Sequence, residues 1–496
     1  MFTTMMTKGA FFFSSFLKCS SLHLTFLFFF LSLSSDSHVL AIVVPHDDDH
    51  KEENGKLLFF NAESGTLLNS LDVGALPDMV KFSPNGRYCL VANEGEPNSI
   101  TGVDPFGTVT IVAISDGGSN IGTLTDTEVD TLDFDDVSLP SGMFKISPTA
   151  TLGQDLEPEW ISFSSNSETA YISLQENNGY AIIDLDERTI SGLRAFPVID
   201  RSLVPFDASD KDDGIFIRLW PGIYSMAQPD TIRYFRQDGT DYLLTANEGD
   251  TKDWEYFSEL QRIKDLDTLD FDPTVFNASY LAVLQEDAGA GRLRITSSNG
   301  KNADGKYSRL YSFGGRGMSV IKASTGEVIW DTGDELETFF ASQYALYFNS
   351  DEENSSFDSR SDDKGSEPEG LALGTLDGRA YAFLILERIG GVVAYDICDV
   401  KHPRFETYFN RRDFQVDNAF PDLGAAGDIS PESIAFVDKN DSPTGSYLLL
   451  LANSGSGTVS VYEISGSNTE PCSSAPSLAP HLVGFIALCL GFFMLF

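Results

Sequence analysis

"LPDMVKFSPNGRYCLVANEGEPN", residues 76–98, is the stretch whose recurrence decides the fold. It begins with proline and an acid, continues through a short apolar strand and a polar turn, and ends a second apolar strand in Asn-Glu-Gly-Glu. Much of the same plan returns at residues 157–185, 228–250, 367–397 and 430–464. Short strands rich in β-branched and aromatic residues, separated by polar turns and repeated at such intervals, are typical of a β-propeller.

Residues 306–334 supply a sixth unit, and residues 55–74 add two apolar segments near the N-terminus. We therefore predict an all-β chain folded as a single β-propeller of six or seven blades, with seven favoured. In this prediction the N-terminal strands complete the sheet begun by the C-terminal unit and close the ring. A pair of β-sandwiches is the alternative, but it does not explain why the units keep their proline-acid start.

Two insertions interrupt the repeat. Residues 251–300 are expected to include a short helix near Tyr256–Asp265. Residues 336–366, with the run "DEENSSFDSRSDDKGS", are expected to form a long acidic surface loop.

The N-terminus has the pattern of a secretory signal. Lys8 and Lys18 precede the apolar run of residues 22–33, and small residues follow. We predict a signal peptide over residues 1–41 with cleavage after Ala41. Cleavage after Ser35 and an uncleaved signal anchor are the alternatives.

The C-terminus has the pattern of a lipid-attachment signal, with small residues at 472–475, a short polar spacer and an apolar run to the last residue. We predict a propeller over residues 42–465, a linker with the GPI attachment region over 466–481, and an apolar signal tail over 482–496. The protein is then secreted and held at the outer face of the plasma membrane or cell surface.

Two cysteines remain in the predicted body, Cys89 and Cys398. A secreted compartment permits a disulfide between them, although two buried free thiols fit the surrounding apolar runs equally well. Asn277 and Asn354 begin sequons for N-linked glycans in polar stretches.

The formal net charge is −41, from 74 acidic and 33 basic residues. This charge argues against nucleic acid as a partner, because phosphate neutralisation needs clustered lysine and arginine. It suits cations, mineral surfaces or a salty medium, and a merely soluble acidic surface is the alternative. Residues 46–54, "HDDDHKEEN", are interpreted as a solvated loop, with a metal site as the alternative.

The repeat is expected to gather acids at one mouth of the propeller. The first two strands of a blade are antiparallel, so the start of the first strand and the end of the second lie at the same edge. Crowded carboxylates need cations to stay ionised, and oxygen ligands suit Ca²⁺, with Mg²⁺ or another divalent ion also possible. A solvated rim of turn residues is the alternative. The predicted metal ligands are Glu94, Glu96, Glu157, Glu159, Glu176, Glu248, Asp250, Glu367, Glu369 and Glu432.

Arg316 and Arg388 occupy the turn position that carries glutamate in other units, each beside glycine. Two guanidinium groups among bound cations form a site for phosphate, sulfate or carboxylate. Pairing of each arginine with a carboxylate of a neighbouring blade is the alternative. If a phosphoryl group binds, a metal-bound water can hydrolyse it, and Arg316, Arg388 and Glu369 are the candidate catalytic residues.

The motifs "LVANEGEPN", "LLTANEGDTKDW", "YSFGGRGMSVI", "SEPEGLALG" and "GDISPESIAF" resemble the choice-of-anchor I family over about residues 40–465. That family includes mesenchyme-specific cell-surface glycoproteins of biomineralising animals and atypical alkaline phosphatases of bacteria and algae. The resemblance implies a secreted or surface-anchored propeller that binds calcium. The glycine-rich repeats of many biomineralisation members are missing here, which favours the phosphatase branch.

The leading hypothesis is an extracellular, GPI-anchored, Ca²⁺-dependent phosphomonoesterase whose ligand is a small phosphoester or phosphate. The alternative is a non-enzymatic calcium-binding surface glycoprotein acting in a mineral or cell-wall matrix. A protein-interaction scaffold is a third hypothesis, because the fold alone does not determine function.

Overall fold

Six antiparallel sheets follow one another along the chain in the computed structural model, which describes residues 30–33, 38–47, 50–466, 470–472 and 477–478. The first sheet contains Phe30–Leu33, Val39–Val44, Asn54–Asn61 and Leu67–Ala75. The second contains Pro77–Phe82, Tyr88–Asn93, Thr108–Ala113 and Val129–Leu132. The third contains Ile161–Phe163, Thr169–Leu174, Gly179–Asp184 and Thr189–Ala195.

The remaining three sheets lie in the C-terminal half. The fourth contains Ile232–Gln237, Thr240–Asn247, Gly317–Lys322, Val328–Asp331 and, at its edge, Ser477–Leu478. The fifth contains Pro368–Leu376, Arg379–Leu386, Val392–Asp396 and Arg404–Phe409. The sixth contains Pro431–Val437, Tyr447–Asn453 and Thr458–Ile464.

The segment between the third and fourth sheets, with part of the insertion inside the fourth, forms a separate five-stranded sheet. Its strands are Val198–Asp200, Ile223–Met226, Leu310–Ser312, Arg294–Thr296 and Leu260–Arg262, and a hairpin joins Asp253–Trp254 to Phe257–Ser258. The α-helices described are Leu152–Asp155, Ala278–Leu284 and Glu335–Gln343. Short 3₁₀ turns are Asp116–Gly118, Ile121–Thr123, Asp126–Glu128, Ile263–Asp265, Thr268–Asp270, Ala345–Tyr347 and Leu423–Ala426.

Each sheet packs face to face on the next because side chains alternate between the two faces of a strand. In strand Tyr88–Asn93, Cys89 and Val91 enter the core shared with the first sheet, whereas Leu90 and Ala92 enter the core shared with the third. Similar cores join the third sheet to the fourth, the fourth to the fifth and the fifth to the sixth. The all-β, propeller-like arrangement is therefore confirmed, while ring closure and the count of six or seven blades stay predictions.

Three expectations about local structure were wrong. The segment expected to be helical near Tyr256–Asp265 forms the end of a hairpin, the strand Leu260–Arg262 and a 3₁₀ turn. Residues 336–366 begin inside a helix, and much of the rest is buried instead of forming a surface loop. The strands within residues 55–74 pair with Val39–Val44 in their own sheet and do not complete the sixth sheet.

The predicted signal peptide overlaps the first sheet. Ala41, the predicted cleavage position, is fully buried in strand Val39–Val44 and is paired with Phe59. The predicted domain boundaries stay predictions, and the tail at residues 482–496 lies outside the described residues. Within the described ranges, no helix combines the length and apolar character needed to cross a membrane.

Of the two alternatives left open for Cys89 and Cys398, the disulfide between them is wrong, and the free buried thiol holds for Cys89 alone. Cys398 pairs with Cys472, which follows the predicted body, and the Cys472 N–H donates to the Gly378 carbonyl at 3.0 Å. Cys89 is a free thiol buried in the core between the first two sheets.

The two predicted glycan acceptors lie in different surroundings. Asn277 is exposed at the start of helix Ala278–Leu284, where its side chain accepts from the Tyr280 N–H. Asn354 is half-buried, and its Nδ2 donates to the carbonyls of Asp413 at 2.9 Å and Val416 at 2.7 Å. A glycan on Asn354 would therefore replace one of these bonds, whereas Asn277 is accessible to modification.

Candidate metal centre

A backbone hydrogen bond joins the two repeated phrases in four sheets. The residue before the proline has positive φ, between 42° and 51°, and its carbonyl accepts from an N–H directly after the second strand or one residue further on. The donor–acceptor pairs are Glu94–Leu76 at 2.9 Å, Gly249–Gln228 at 3.0 Å, Glu387–Glu367 at 2.8 Å and Ser454–Ser430 at 2.7 Å. Positive φ is costly for residues other than glycine and is often found at functional sites. The bond holds the acids of both phrases at the same end of the sheet.

The asparagine of the repeated Asn-Glu-Gly phrase has a structural role. Its amide donates to a hydroxyl on the third strand: Asn93 to Thr110 at 3.0 Å, and Asn247 to Ser319 at 2.8 Å. Asn453 makes the same bond to Ser460 at 2.9 Å. These buried amides fix the end of the second strand, and the next residue is a glutamate in the second and fourth sheets and Ser454 in the sixth.

The structure brings acids of the second to sixth sheets close together, including Asp78 and Asp230 at the proline-acid starts of two repeat units. Burial and the charges of Glu176 and Glu96 raise the pKa of Asp78 to about 7. Burial, followed by the charges of Glu248 and Asp78, raises the pKa of Asp230 well above its ordinary value. Repulsion between carboxylates raises a pKa this far only at short separations. These acids of the second, third and fourth sheets therefore lie close together.

The same effect extends to acids of the fifth and sixth sheets. Burial and the neighbouring charges of Glu248 and Asp230 raise the pKa of Glu369. The pKa of Glu432 is also raised, mainly by burial, although Ser454 Oγ donates to its carboxylate at 2.7 Å. The convergence of the acids on one mouth is therefore a property of the structure, while metal binding by them stays a prediction.

One group within this mouth, the Glu94 triad, consists of Glu94, Glu157 and Glu176. One carboxylate oxygen from each lies within 4.8 Å of the others. Glu157 is fully buried and Glu176 is 4% exposed, yet Glu157 Oε1 and Glu176 Oε2 have no hydrogen-bond partner among the described residues. Buried carboxylate oxygens without partners are rare in folded proteins, so a ligand is expected here.

Lys252 is the cation paired with the Glu94 triad, and it was not among the residues predicted for this site. Its ammonium forms an ion pair with Glu157 and is fully buried. Burial opposes the charged form, but the carboxylates of Glu157, Glu176 and Asp155 raise the pKa of Lys252. Glu259 Oε1 accepts from the Lys252 backbone N–H at 3.0 Å and fixes this segment beside the site. The signal in the sequence that could have identified Lys252 is its position directly after "ANEGDT", the second Asn-Glu-Gly phrase.

A second group, the Glu248 triad, consists of Glu248, Glu367 and Glu387, again with ligand atoms within 4.8 Å of one another. Its members occupy the same positions of the repeat as the Glu94 triad. The first follows the second strand of one sheet, the next precedes the proline of the following sheet, and the last follows that sheet's second strand.

Three cations neutralise the Glu248 triad. Lys364 Nζ lies 2.6 Å from Glu248 Oε1 and 3.2 Å from Glu367 Oε2. Arg388 lies 3.1 Å from Glu367 and 3.0 Å from Glu387, and Arg360 pairs with Glu367. Burial acts to raise the pKa of Glu367, but these three cations lower it below its usual range. Lys364 and Arg360 were not among the residues predicted for this site.

The other predicted ligands lie around the two triads. Glu96 pairs with Lys51 at 2.6 Å, and Asp250 accepts from the Thr251 N–H at 2.7 Å. Glu159 is 7% exposed, and its Oε2 has no hydrogen-bond partner among the described residues. Burial and the charge of Glu176 raise its pKa.

Arg316 does not lie at the open mouth, where it was expected to bind a phosphate group, and this predicted placement is wrong. The guanidinium is 3% exposed and donates to Glu337 Oε1 at 2.5 Å and to the Asp207 carbonyl at 2.8 Å. It also donates to the carbonyls of Ser361 at 2.7 Å and Asp363 at 2.8 Å. These bonds commit Arg316 to holding residues 361–363 in place.

Arg388 follows the alternative considered for it, which was pairing with carboxylates. Besides the Glu248 triad it contacts Glu352 at 3.2 Å, and 23% of its side chain is exposed. Glu369, the third candidate catalytic residue, lies among the mouth acids. His46, Asp47 and His50 bring ligand atoms within 4.8 Å of one another in an exposed loop, in agreement with the solvated loop expected there.

The fold and this site define a class: an acidic all-β protein of propeller-like architecture with carboxylates buried at one mouth. The model of the choice-of-anchor I domain matches residues 18–400. The chain therefore belongs to the choice-of-anchor I family.

Two relatives of known name are similar to parts of the chain. Gigasin-3a of Magallana gigas is 34% identical over 192 residues, which cover 37% of this chain and 67% of gigasin-3a. The mesenchyme-specific cell surface glycoprotein of Strongylocentrotus purpuratus is 26% identical over 304 residues, covering 54% of this chain. The chain spans only 38% of that glycoprotein's length.

Solved structures show a more distant likeness. A protein from Lactobacillus plantarum has a TM-score of 0.41 and 11% identity, with 92% of this chain and 88% of that chain covered. The periplasmic gluconolactonase of Pseudomonas aeruginosa has a TM-score of 0.40 and 14% identity, with 90% and 86% covered.

Proposed function

We propose that this protein is a calcium-binding glycoprotein of the cell surface whose divalent ion is held by the Glu94 triad. The observation that carries the proposal is the pair of buried carboxylate oxygens, on Glu157 and Glu176, that have no partner among the described residues. An ionised carboxylate buried without compensation is unfavourable, and a bound cation supplies that compensation.

A comparison of charges supports one divalent ion at this place. The Glu94 triad has three carboxylates and an ion pair with one ammonium, Lys252. The Glu248 triad has three carboxylates and ion pairs with three cations. The first triad therefore has two fewer cationic partners than the second, where Arg360 and Arg388 are also shared with Asp363 and Glu352, and one Ca²⁺ or Mg²⁺ would supply positive charge in their place.

The donor set fits a hard cation. Carboxylate oxygens from two sheets face one another, and Ca²⁺ accepts such ligands in flexible geometry. Mg²⁺ usually keeps several waters, which a closely packed group of buried carboxylates accommodates poorly. Glu94, Glu157 and Glu176 would hold the ion, and Glu159 lies close enough to Glu94 and Glu176 for their charges to raise its pKa. The ion would neutralise the mouth and join the second sheet to the third.

Burial favours this structural role over phosphoester hydrolysis. A catalytic metal keeps an open coordination position, whereas a structural metal is enclosed by protein ligands. Phosphate binding was assigned to Arg316 and Arg388, but the first is fully engaged and the second is paired with carboxylates. The non-enzymatic alternative therefore fits the geometry better than the phosphomonoesterase.

The place at the cell surface is part of the proposal. It is supported by the secretory and lipid-attachment patterns of the two termini and by the relative described as a cell surface glycoprotein. An exposed sequon at Asn277 is consistent with a glycosylated surface protein. Retention by a GPI anchor and contact with a mineral or cell-wall matrix belong to the same hypothesis.

The deciding experiment measures calcium binding and phosphoester turnover on the same purified ectodomain. We expect calorimetry to detect one bound Ca²⁺ per chain, and a panel of chromogenic phosphoesters to give no calcium-dependent turnover. The absence of Ca²⁺ uptake at millimolar concentrations would contradict the proposal. Turnover that is abolished by chelator and by Arg388→Ala would instead establish the phosphomonoesterase.

A further inference from the structure

The two triads differ in where their lysine lies. Lys364 Nζ contacts Glu248 Oε1 at 2.6 Å and the Gly249 carbonyl at 2.6 Å, both from the fourth sheet. It also lies 3.2 Å from Glu367 Oε2 of the fifth sheet. The ammonium therefore bridges oxygens of two sheets, as a small bound cation does. Lys252 in the Glu94 triad pairs only with Glu157 among the three glutamates.

We propose that the Glu248 triad is a latent divalent-cation site whose place is occupied by the Lys364 ammonium. The repeat supplies the same three ligand positions twice, once in each triad. At the Glu248 triad, the long segment before Pro368 supplies the Lys364 ammonium as the cation. Only the comparison of the latent site with the Glu94 triad rests on the proposed function. The inference itself rests on the contacts of Lys364.

The segment that carries Lys364 is held firmly in place. Arg316 donates to the carbonyls of Ser361 and Asp363, and Asn349 Nδ2 donates to Ser361 Oγ at 2.8 Å. The Gly365 N–H donates to the Arg360 carbonyl at 2.9 Å, and a Cβ on Gly365 would lie 3.1 Å from the Arg316 side chain. Arg316 therefore acts as a positioning residue that directs Lys364 into the triad.

Removal of the ammonium breaks the bridge between Glu248 and Glu367. Arg360 and Arg388 still contact Glu367, but among the described residues no ion pair other than that with Lys364 reaches Glu248. Loss of Lys364 therefore leaves the negative charge of Glu248 uncompensated at a place already lined by oxygen ligands, which favours binding of another cation.

The test counts bound ions in Lys364→Met and Lys364→Gln by native mass spectrometry and calorimetry, after chelation and calcium titration. We expect both variants to bind one Ca²⁺ more than the unmodified protein. Lys401→Met, which changes an exposed lysine away from the site, is expected to leave the count unchanged. The double variant Glu248→Gln/Lys364→Met is expected to lose the additional ion.

The outcomes separate this inference from the proposed function. An unmodified protein that binds no ion, with Lys364 variants that bind one, would refute the proposed function and support the latent site. Equal ion counts in the unmodified protein and both variants would overturn the latent site alone. Lys364 variants that unfold in chelator and refold in Ca²⁺ would support the latent site. Lys364 variants that unfold equally in chelator and in Ca²⁺ would overturn it.

Discussion

Glu157 and Glu367 stand at the same position of two different sheets, each directly before the proline that opens a repeat unit, yet their electrostatic surroundings differ. Glu157 forms one ion pair, with Lys252, and Glu367 forms ion pairs with Arg360, Lys364 and Arg388. Both glutamates are fully buried. This difference in ion pairing comes from the loops that reach each position, since Lys252, Arg360 and Lys364 lie on segments outside the paired strands.

Glu176→Gln is expected to lower calcium affinity at least about tenfold, because it removes a charged ligand whose Oε2 has no protein partner. Calorimetry on the purified ectodomain measures the change. Glu63→Gln, at an exposed position, is the matched control and is expected to bind calcium normally. Equal affinities of the two variants would remove Glu176 from the site.

In chelator, stability is expected to fall as the pH rises from 5 to 8. The pKa of Asp78 is raised to about 7 in the folded state, so its contribution is fully present below its unfolded value and is lost as the pH passes through 7. The raised pKa values of Asp230 and Glu369 act in the same direction.

Thermal melting at several pH values, with and without Ca²⁺, measures this effect. Calcium is expected to reduce the loss of stability at high pH, because the bound ion offsets the repulsion between ionised carboxylates. A melting temperature that rises with pH in chelator would contradict the assignment.

Arg316→Ala is expected to lower the free energy of unfolding by about 3–5 kcal/mol, because it leaves Glu337 buried without its partner. Denaturant unfolding measures the loss, and Arg411→Ala, at an exposed arginine, is the control. A stable Arg316→Ala protein with a selective defect in phosphate binding would restore the original assignment of this residue to the mouth.

Cys398→Ser is expected to destabilise the fold by about 2–4 kcal/mol, since the disulfide to Cys472 closes a separation of 74 residues. Chemical unfolding under non-reducing conditions measures the change. Peptide mapping is expected to find Cys89 alkylated only after denaturation, because its thiol is fully buried. A peptide linking Cys89 to Cys398 would contradict the pairing.

The mature N-terminus is expected to follow Ser35, which removes only the edge strand Phe30–Leu33 of the first sheet, and not Ala41. Cleavage after Ala41 would divide strand Val39–Val44, whose residues pair with Asn54–Asn61. N-terminal sequencing of the secreted protein distinguishes the two positions. A mature chain that begins at Ile42 would show that half of this strand is dispensable.

Local patterns in the sequence were enough to predict the strands of the repeat and the placement of its acids. Strand ends in an antiparallel pair are fixed relative to each other, so Asp78 and Glu94 had to share an edge once their strands were recognised. The role of Asn93 was not accessible in this way. Its partner Thr110 lies on the third strand, and the repeat does not specify which face of the asparagine is turned toward that strand.

The sequence by itself determined the all-β class, the propeller-like repeat and the collection of acids at one mouth, because each follows from periodicity and strand direction within a unit. Only the tertiary structure decided which acids remain without partners. Lys252 and Lys364 come from segments outside the repeat, and their approach to Glu157 and Glu248 depends on long-range packing. The same long-range packing engages Arg316 inside the fold and joins Cys398 to Cys472, and no local pattern encodes either contact.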